Sequence, residues 1–380
     1  MNPIYLDYNA TTPLDPAVLE VMLPFFKEHF GNPSSGNFYG KAAKDAVSKV
    51  REQTAKLIGA KTNEILFTSG GTESNNHAII GTTFANKQKG KHIITSVVEH
   101  PAVLETLQYL HERFQFKVTH LPVDKYGMVN PSDVENAITA QTTLITIMHA
   151  NNEVGTINPI EKIGKIAQEK NITFHTDAAQ SCGKIPINVN DLNVDLLTVA
   201  GHKLYAPKGI GALYIKNGTN LDKFIHGAGQ EQGRRAGTEN VPYIVGLGCA
   251  CEIASNNLNS YSQDVNALRD RLHRNIIGGL GEEQVKLNGH PEKRLPNTLN
   301  ISILGVIGES LLARIPEIAA STGSACHAGS TKPSAVLLAM GLLNEQALGA
   351  LRLSLGRWTT REEVDEASRL IVSNAHQELT

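Results

Sequence analysis

Cysteine is scarce in this chain. Only Cys182, Cys249, Cys251 and Cys326 occur among 380 residues, and none stands at C-x2-C spacing. That speaks against a cysteine-ligated metal or a disulfide scaffold, and for free thiols in a reducing compartment. An excess of one charge is also missing: 35 Lys and Arg face 37 Asp and Glu, a net charge of −2. The basic residues are scattered, so no stripe points to nucleic acid. No apolar run exceeds strand length, which excludes a membrane-spanning segment. The start, MNPIYLDYNATTPLD, lacks the charged-then-apolar order of an export signal, and a cytoplasmic location is expected. What remains is ordinary globular composition, 41% hydrophobic and 19% charged, enough for one large domain plus a smaller one.

Strand-like apolar runs alternate with helical stretches from about residue 60 to 250. Expected strands are Ile65–Thr68, His92–Val97, Lys117–Leu121, Leu144–His149, Thr173–Thr176, Leu196–Val199 and Gly211–Ile215. Expected helices are Ser74–Asn86, Pro101–Phe114, Pro131–Ala140 and Pro159–Lys170, three of them opening on a proline that a first turn tolerates. The alternation predicts an α/β fold: a mostly parallel seven-stranded sheet with helices on both faces. A polar helix over Ser262–Gly278, then short strands at Thr298–Ile303 and Leu351–Ser354, predicts a smaller α+β unit. The Asn/Ser-rich SNNLNSYS, about residues 255–262, is the expected boundary. The large domain then spans 15–258, and the small one combines 1–14 with 259–380.

In open α/β sheets, ligands bind beyond the carboxyl ends of the strands. Asp177, Gln180, His202 and Lys203 all fall there. A lysine and an acid so placed suit pyridoxal phosphate (PLP). The lysine forms an imine with the aldehyde, and the acid keeps the ring nitrogen protonated, so the ring can store electrons. Gly70-Gly71-Thr72, between a strand and a helix, could hold the phosphate at a helix N-terminus. His100, in VVEHPAV, could stack on the ring and move protons. Taken singly, each has a plainer reading: a strand–helix turn, a surface lysine, a helix cap at Asp177, a helix start. Their order along the chain joins them: phosphate loop, aromatic cover, ring acid, imine lysine. Arg352 shares one face of LRLSLG with Ser354, either as a solvated face or as a bidentate clamp for a substrate carboxylate. Asn152 caps a loop or donates to the ring oxygen. Cys182, Cys249 and Cys251 read as small core residues. Cys326 sits among small and polar residues in STGSACHAGS, as an accessible nucleophile requires.

The motifs YLDYNATTPLDP, GNPSS, FTSGGTESNN, EHPAV, NNEVG, HTDAAQ, GHK, RRAGTEN, GSACHAG and LRLSLGRWTT occur in that order. On them the chain resembles the NifS/IscS-like cysteine desulfurases, PLP enzymes of fold type I in the class V aminotransferase family. The resemblance implies that Lys203 carries the imine, Asp177 pairs with the ring nitrogen and His100 covers the ring. It places Gly71, Thr72 and His202 on the phosphate, and Gln180 and Asn152 on the ring oxygen or nearby substrate atoms. Thr238 would reach the partner subunit's phosphate in a homodimer, and Arg352 with Asn32 would hold the substrate carboxylate. Cys326, on a small-domain loop of about residues 321–333, would take the sulfur. The implied reaction converts L-cysteine to L-alanine, leaving a Cys326 persulfide for an acceptor protein in iron–sulfur cluster assembly or in tRNA or DNA thiolation. No metal, membrane or direct nucleic-acid contact is implied. The alternatives are a selenocysteine lyase or another class V PLP enzyme, a silent sulfur-relay subunit, or a metal hydrolase using His175, Asp177 and His202. Three positions depart from the family pattern: Ala200 replaces a frequent phosphate-bonding serine, Asn37 a frequent histidine, and His327 a small polar residue after Cys326. The chain ends soon after Arg361–Gln377, without the longer tail by which IscS-type enzymes dock a scaffold, which leaves the acceptor open.

Overall fold

The computed structural model describes residues 3–323 and 332–379. Cys326 and His327 lie outside these. A short strand, β1 (Ile4–Tyr5), precedes the main sheet. That sheet holds seven strands: β2 (Ile65–Thr68), β3 (His92–Ser96), β4 (Lys117–Leu121), β5 (Thr142–Thr146), β6 (Thr173–Asp177), β7 (Leu196–Ala200) and β8 (Gly211–Ile215). Their spatial order is β2-β8-β7-β6-β5-β3-β4, with only β8 antiparallel to its neighbours. Strands such as LLTVA in β7 are buried along their whole length, as both-face helical cover demands. The expected α/β sheet is thus present.

The strand order reverses between β3 and β5. The segments leaving their carboxyl ends diverge there and open a crevice, the place where such sheets bind ligands. Strand β3 ends at Ser96 rather than Val97, and β5 runs Thr142–Thr146 rather than Leu144–His149; Met148, beyond its end, lines that crevice. The helix after β2 starts at Gly71 rather than Ser74, which puts Gly71 and Thr72 in its first turn. Gly70 allows this entry with φ of 150°, a conformation open to glycine.

A second, three-stranded antiparallel sheet runs β12-β10-β9, with β9 (Val285–Asn288), β10 (Thr298–Ile303) and β12 (Ala350–Ser354). The N-terminal segment belongs beside it: β1 pairs with β11 (Ile318–Ala319), and Asp7 bridges Ser354. The helix expected over Ser262–Gly278 is much longer, running unbroken from Val241 to Leu280. SNNLNSYS is therefore helix rather than linker. Packing outweighs the weak helix propensity of Asn and Ser there. Residues up to Ala254 join the core under the main sheet, and residues from Val265 join the core under the small one. Gly246 and Gly248 allow close approach to the neighbouring helices, since a Cβ would lie 2.7 Å from Met22 Sδ and 2.6 Å from Val50 Cγ2 respectively. Among the described residues no helix is long and apolar enough to cross a membrane.

Candidate active site

A cavity of about 200 Å³ occupies the crevice. Gly71, Thr72, His100, Asn152, Asp177, Gln180, His202, Lys203 and Arg352 all line it. Asn32 and Thr238 do not. Both are exposed, and Asn32 Oδ1 instead accepts from Ser34 N in a local turn.

Asp177 ends β6, its carboxylate buried and oriented from two sides. Oδ1 accepts from Ala179 N at 2.9 Å, and Oδ2 accepts from Asn75 Nδ2 at 2.7 Å. Lys203 closes the 3-10 turn after β7, and its Nζ donates to the carbonyls of Asn9 and of Ala10, the latter at 2.7 Å. His100 caps the helix Pro101–Phe114, its Nδ1 accepting from Ala102 N at 3.1 Å. That contact uses the Nδ1 lone pair and assigns the neutral ring's proton to Nε2. Burial holds the His100 ring below its ordinary value, Asp177 opposing and Lys203 adding to the effect. Burial, with Lys203 next, pushes His202 down to about 4, so its ring is neutral and Nδ1 meets Thr11 Oγ1 at 3.1 Å.

Arg352 does not lie on a solvated face: it is 1% exposed. Its Nη2 donates to Asp7 Oδ1 at 2.7 Å and Nη1 to Asn152 O at 3.3 Å, while buried Nε has no partner among the described residues. Its backbone N–H donates to Ser321 O at 2.6 Å. Ser334 Oγ donates to Glu153 Oε2 at 2.5 Å. Residues on either side of 324–331 are thus bonded to the wall that carries Asn152 and Arg352.

The donor set suits PLP at its two ends. The first turn of the Gly71–Ala85 helix, the Thr72 hydroxyl and His202 gather where a phosphate would sit. The oriented Asp177 carboxylate suits a protonated ring nitrogen. A Cβ on Gly71 would come within 3.2 Å of Ala200 Cβ, so glycine keeps that turn open. Buried Asn75 Oδ1 has no partner among the described residues. The metal-hydrolase reading fails on His175, whose Nδ1 meets Thr146 Oγ1 at 2.8 Å and whose Nε2 meets Thr198 Oγ1 at 3.1 Å inside the sheet.

Sequence reasoning missed several contributors. Asn9, Asp7 and Asn75 stand inside quoted motifs without an assigned role. Their partners lie across the fold, so no local pattern marks them. Glu99, beside His100, is fully buried. Its Oε1 accepts from Ser96 Oγ at 2.6 Å and from Met148 N at 3.0 Å. Burial pushes its carboxyl up to about 8, against those two donors. Between about pH 4.5 and 8 the folded chain then holds a proton that the unfolded chain releases. Stability is full below that range and is lost as pH rises through it. Glu99→Gln should remove this slope: melting temperatures of native and variant protein are expected to diverge against the native form from pH 5 to pH 8, and parallel curves would refute the buried proton.

An α/β fold whose strand ends bring a lysine, a buried carboxylate and a histidine to one cavity suits a PLP-dependent enzyme. Residues 4–367 match the class-V aminotransferase family, and the chain belongs to it. It is 52% identical over 366 residues to cysteine desulfurase IscS of Clostridium botulinum, covering 95% of this chain and 91% of the relative. A solved NifS-like protein superposes with a TM-score of 0.91 at 38% identity, covering 98% of each chain. SspA in complex with cysteine superposes at 0.81 with 39% identity, covering 94% of this chain and 99% of that one. The fold is PLP fold type I, and membership of this family implies PLP as cofactor.

Proposed function

We propose that the chain is a cysteine desulfurase that converts L-cysteine to L-alanine and passes the sulfur to Cys326 as a persulfide. One observation carries this: a single cavity joins Lys203, Asp177, His100 and Arg352, at a wall bonded to both flanks of the Cys326 segment. Bound PLP would supply an electron sink for the substrate's α-carbon. Gly71, Thr72 and His202 would hold its phosphate, Asp177 its ring nitrogen, and Gln180 and Asn152 its ring oxygen or nearby substrate atoms. His100 would cover the ring, with its Nε2–H as a hydrogen-bond donor.

Lys203 Nζ takes the α-proton of the bound amino acid. Arg352 holds the substrate carboxylate. Cys326 Sγ forms a bond to the substrate sulfur while the Cβ–S bond breaks, and its electron pair stays on the carbon skeleton. Protonation there gives alanine. The other thiols suit this poorly. Cys182 and Cys251 are buried, which pushes Cys182 far up and Cys251 up to about 12, and burial also raises Cys249.

The proposed setting is a cytoplasmic homodimer, with exposed Thr238 reaching the partner subunit's phosphate and an acceptor protein taking the persulfide. We also propose the domain division 15–258 against 1–14 with 259–380; the cores under the two sheets support it, and a smaller cluster of Val98, Val154, Val336, Leu337 and Met340 joins the two parts. The test is alanine formation from L-cysteine and a thiol reductant by PLP-loaded protein, with selenocysteine in parallel. Alanine from cysteine supports the reading; turnover of selenocysteine alone overturns it.

Arg352→Ala removes a charge-assisted pair worth about 1.5–3 kcal/mol. The KM for cysteine should rise roughly 10- to 150-fold. A KM within twofold of native would exclude the clamp.

A further inference from the structure

Behind the cavity lies a second lysine that the proposed reaction does not use. Lys184 is 3% exposed. Its Nζ donates to Gln180 Oε1 at 2.9 Å and to Asn9 Oδ1 at 3.2 Å. Gln180 Nε2 donates in turn to Asn9 O at 2.9 Å, the same carbonyl that accepts from Lys203 Nζ. Asn9 is itself fixed, since its Nδ2 donates to Thr298 Oγ1 at 2.9 Å and its Oδ1 also accepts from Asn297 Nδ2 at 3.0 Å.

A carboxamide's two ends have nearly the same shape and opposite hydrogen-bonding sense. Packing alone does not choose between them. The Lys184 head acts as donor to Asn9 Oδ1 and to Gln180, so it selects the oxygen end of Gln180. The N–H end must then face Asn9 and Lys203, on the side where Gln180 lines the cavity. Keeping an amine in this dry place is costly, with Lys203 and Arg352 as like-charged neighbours. An apolar chain would fill the volume without that cost.

We propose that Lys184 is a positioning residue that locks the amide of Gln180, turning its N–H donor rather than its oxygen towards the ring oxygen of the cofactor. This rests on the reading of the cavity as a PLP site. It gives Lys184 no contact with the reacting atoms.

The test uses the full chain loaded with PLP and a double-mutant comparison. Gln180→Ala is expected to raise the apparent Kd for PLP about tenfold, the loss of one hydrogen bond to an anionic oxygen. It should also move the pH midpoint of the bound cofactor's visible absorbance. Lys184→Met, close in shape but without donors, should reproduce both changes. The double variant should show about the same tenfold loss, not the hundredfold of independent effects. Should Lys184→Met not fold, Lys184→Gln serves, because its shorter side chain stops short of Gln180 and the same changes are expected. A shift in Gln180→Ala without one in the Lys184 variants would overturn the inference and leave the site reading intact. Additive losses would also overturn it. No shift in Gln180→Ala, in protein that binds PLP, would overturn the placement of Gln180 and the inference together.

Discussion

Lys203→Ala should yield a protein that still folds and still takes up PLP, yet shows no lysine-linked visible absorbance. Alanine formation should fall by on the order of 10⁴-fold, the upper range for a lost general base. Lys203, in the turn after β7, lines the same cavity as the oriented Asp177 carboxylate. In the proposed reaction water cannot replace it, because the same nitrogen would first bond the cofactor and then remove the α-proton. The proposed phosphate and ring contacts through Thr72, His202 and Asp177 do not pass through Lys203, so weaker, non-covalent uptake should persist. Borohydride reduction followed by peptide mapping checks this directly. A covalent adduct in the variant would sink the assignment, and one mapped to Lys184 would name the other amine in this network.

Cys326→Ser should bind PLP and L-cysteine normally and lose alanine formation by roughly 10³-fold or more, as removal of a nucleophile does elsewhere. A serine oxygen does not carry out thiol exchange at sulfur, whereas a thiolate does. The absorbance of the loaded variant should match native protein, which separates this loss from a cofactor defect. Mass spectrometry of the native protein after cysteine addition should show one added sulfur on the Cys326 peptide. Turnover equal to native in Cys326→Ser would move the acceptor role to another thiol. Cys182 and Cys251 are sealed in the core under the main sheet, which leaves the partly exposed Cys249 as the alternative within the described residues.

Much of the site was legible beforehand, because strand ends are marked by local periodicity. ITFHTD and LLTVAGHK each pass from an apolar strand to a polar turn, and that change placed Asp177 and Lys203 on one side of the sheet. The helix starts at Pro101 and near Gly71 were readable for the same local reason. Alternation and turn chemistry act over a few residues, so a chain read in order displays them.

Partners far apart in sequence leave no such trace. Alternation in LRLSLG allowed Arg352 to be a solvated residue, and its burial follows from Asp7, Asn152 and Ser321, which distant segments bring to β12. Asn9 contributes a backbone carbonyl to Lys203 and Gln180, an interaction with no side-chain signature. SNNLNSYS resembles a linker by composition, yet packing at both ends holds it in one helix. Lys184 read as nothing in particular until its head was seen between two amide oxygens. Residue order thus set the elements and the chemistry at their ends. Folding set which distant groups met them, because burial and hydrogen-bond partners belong to the packed chain and to no segment of it.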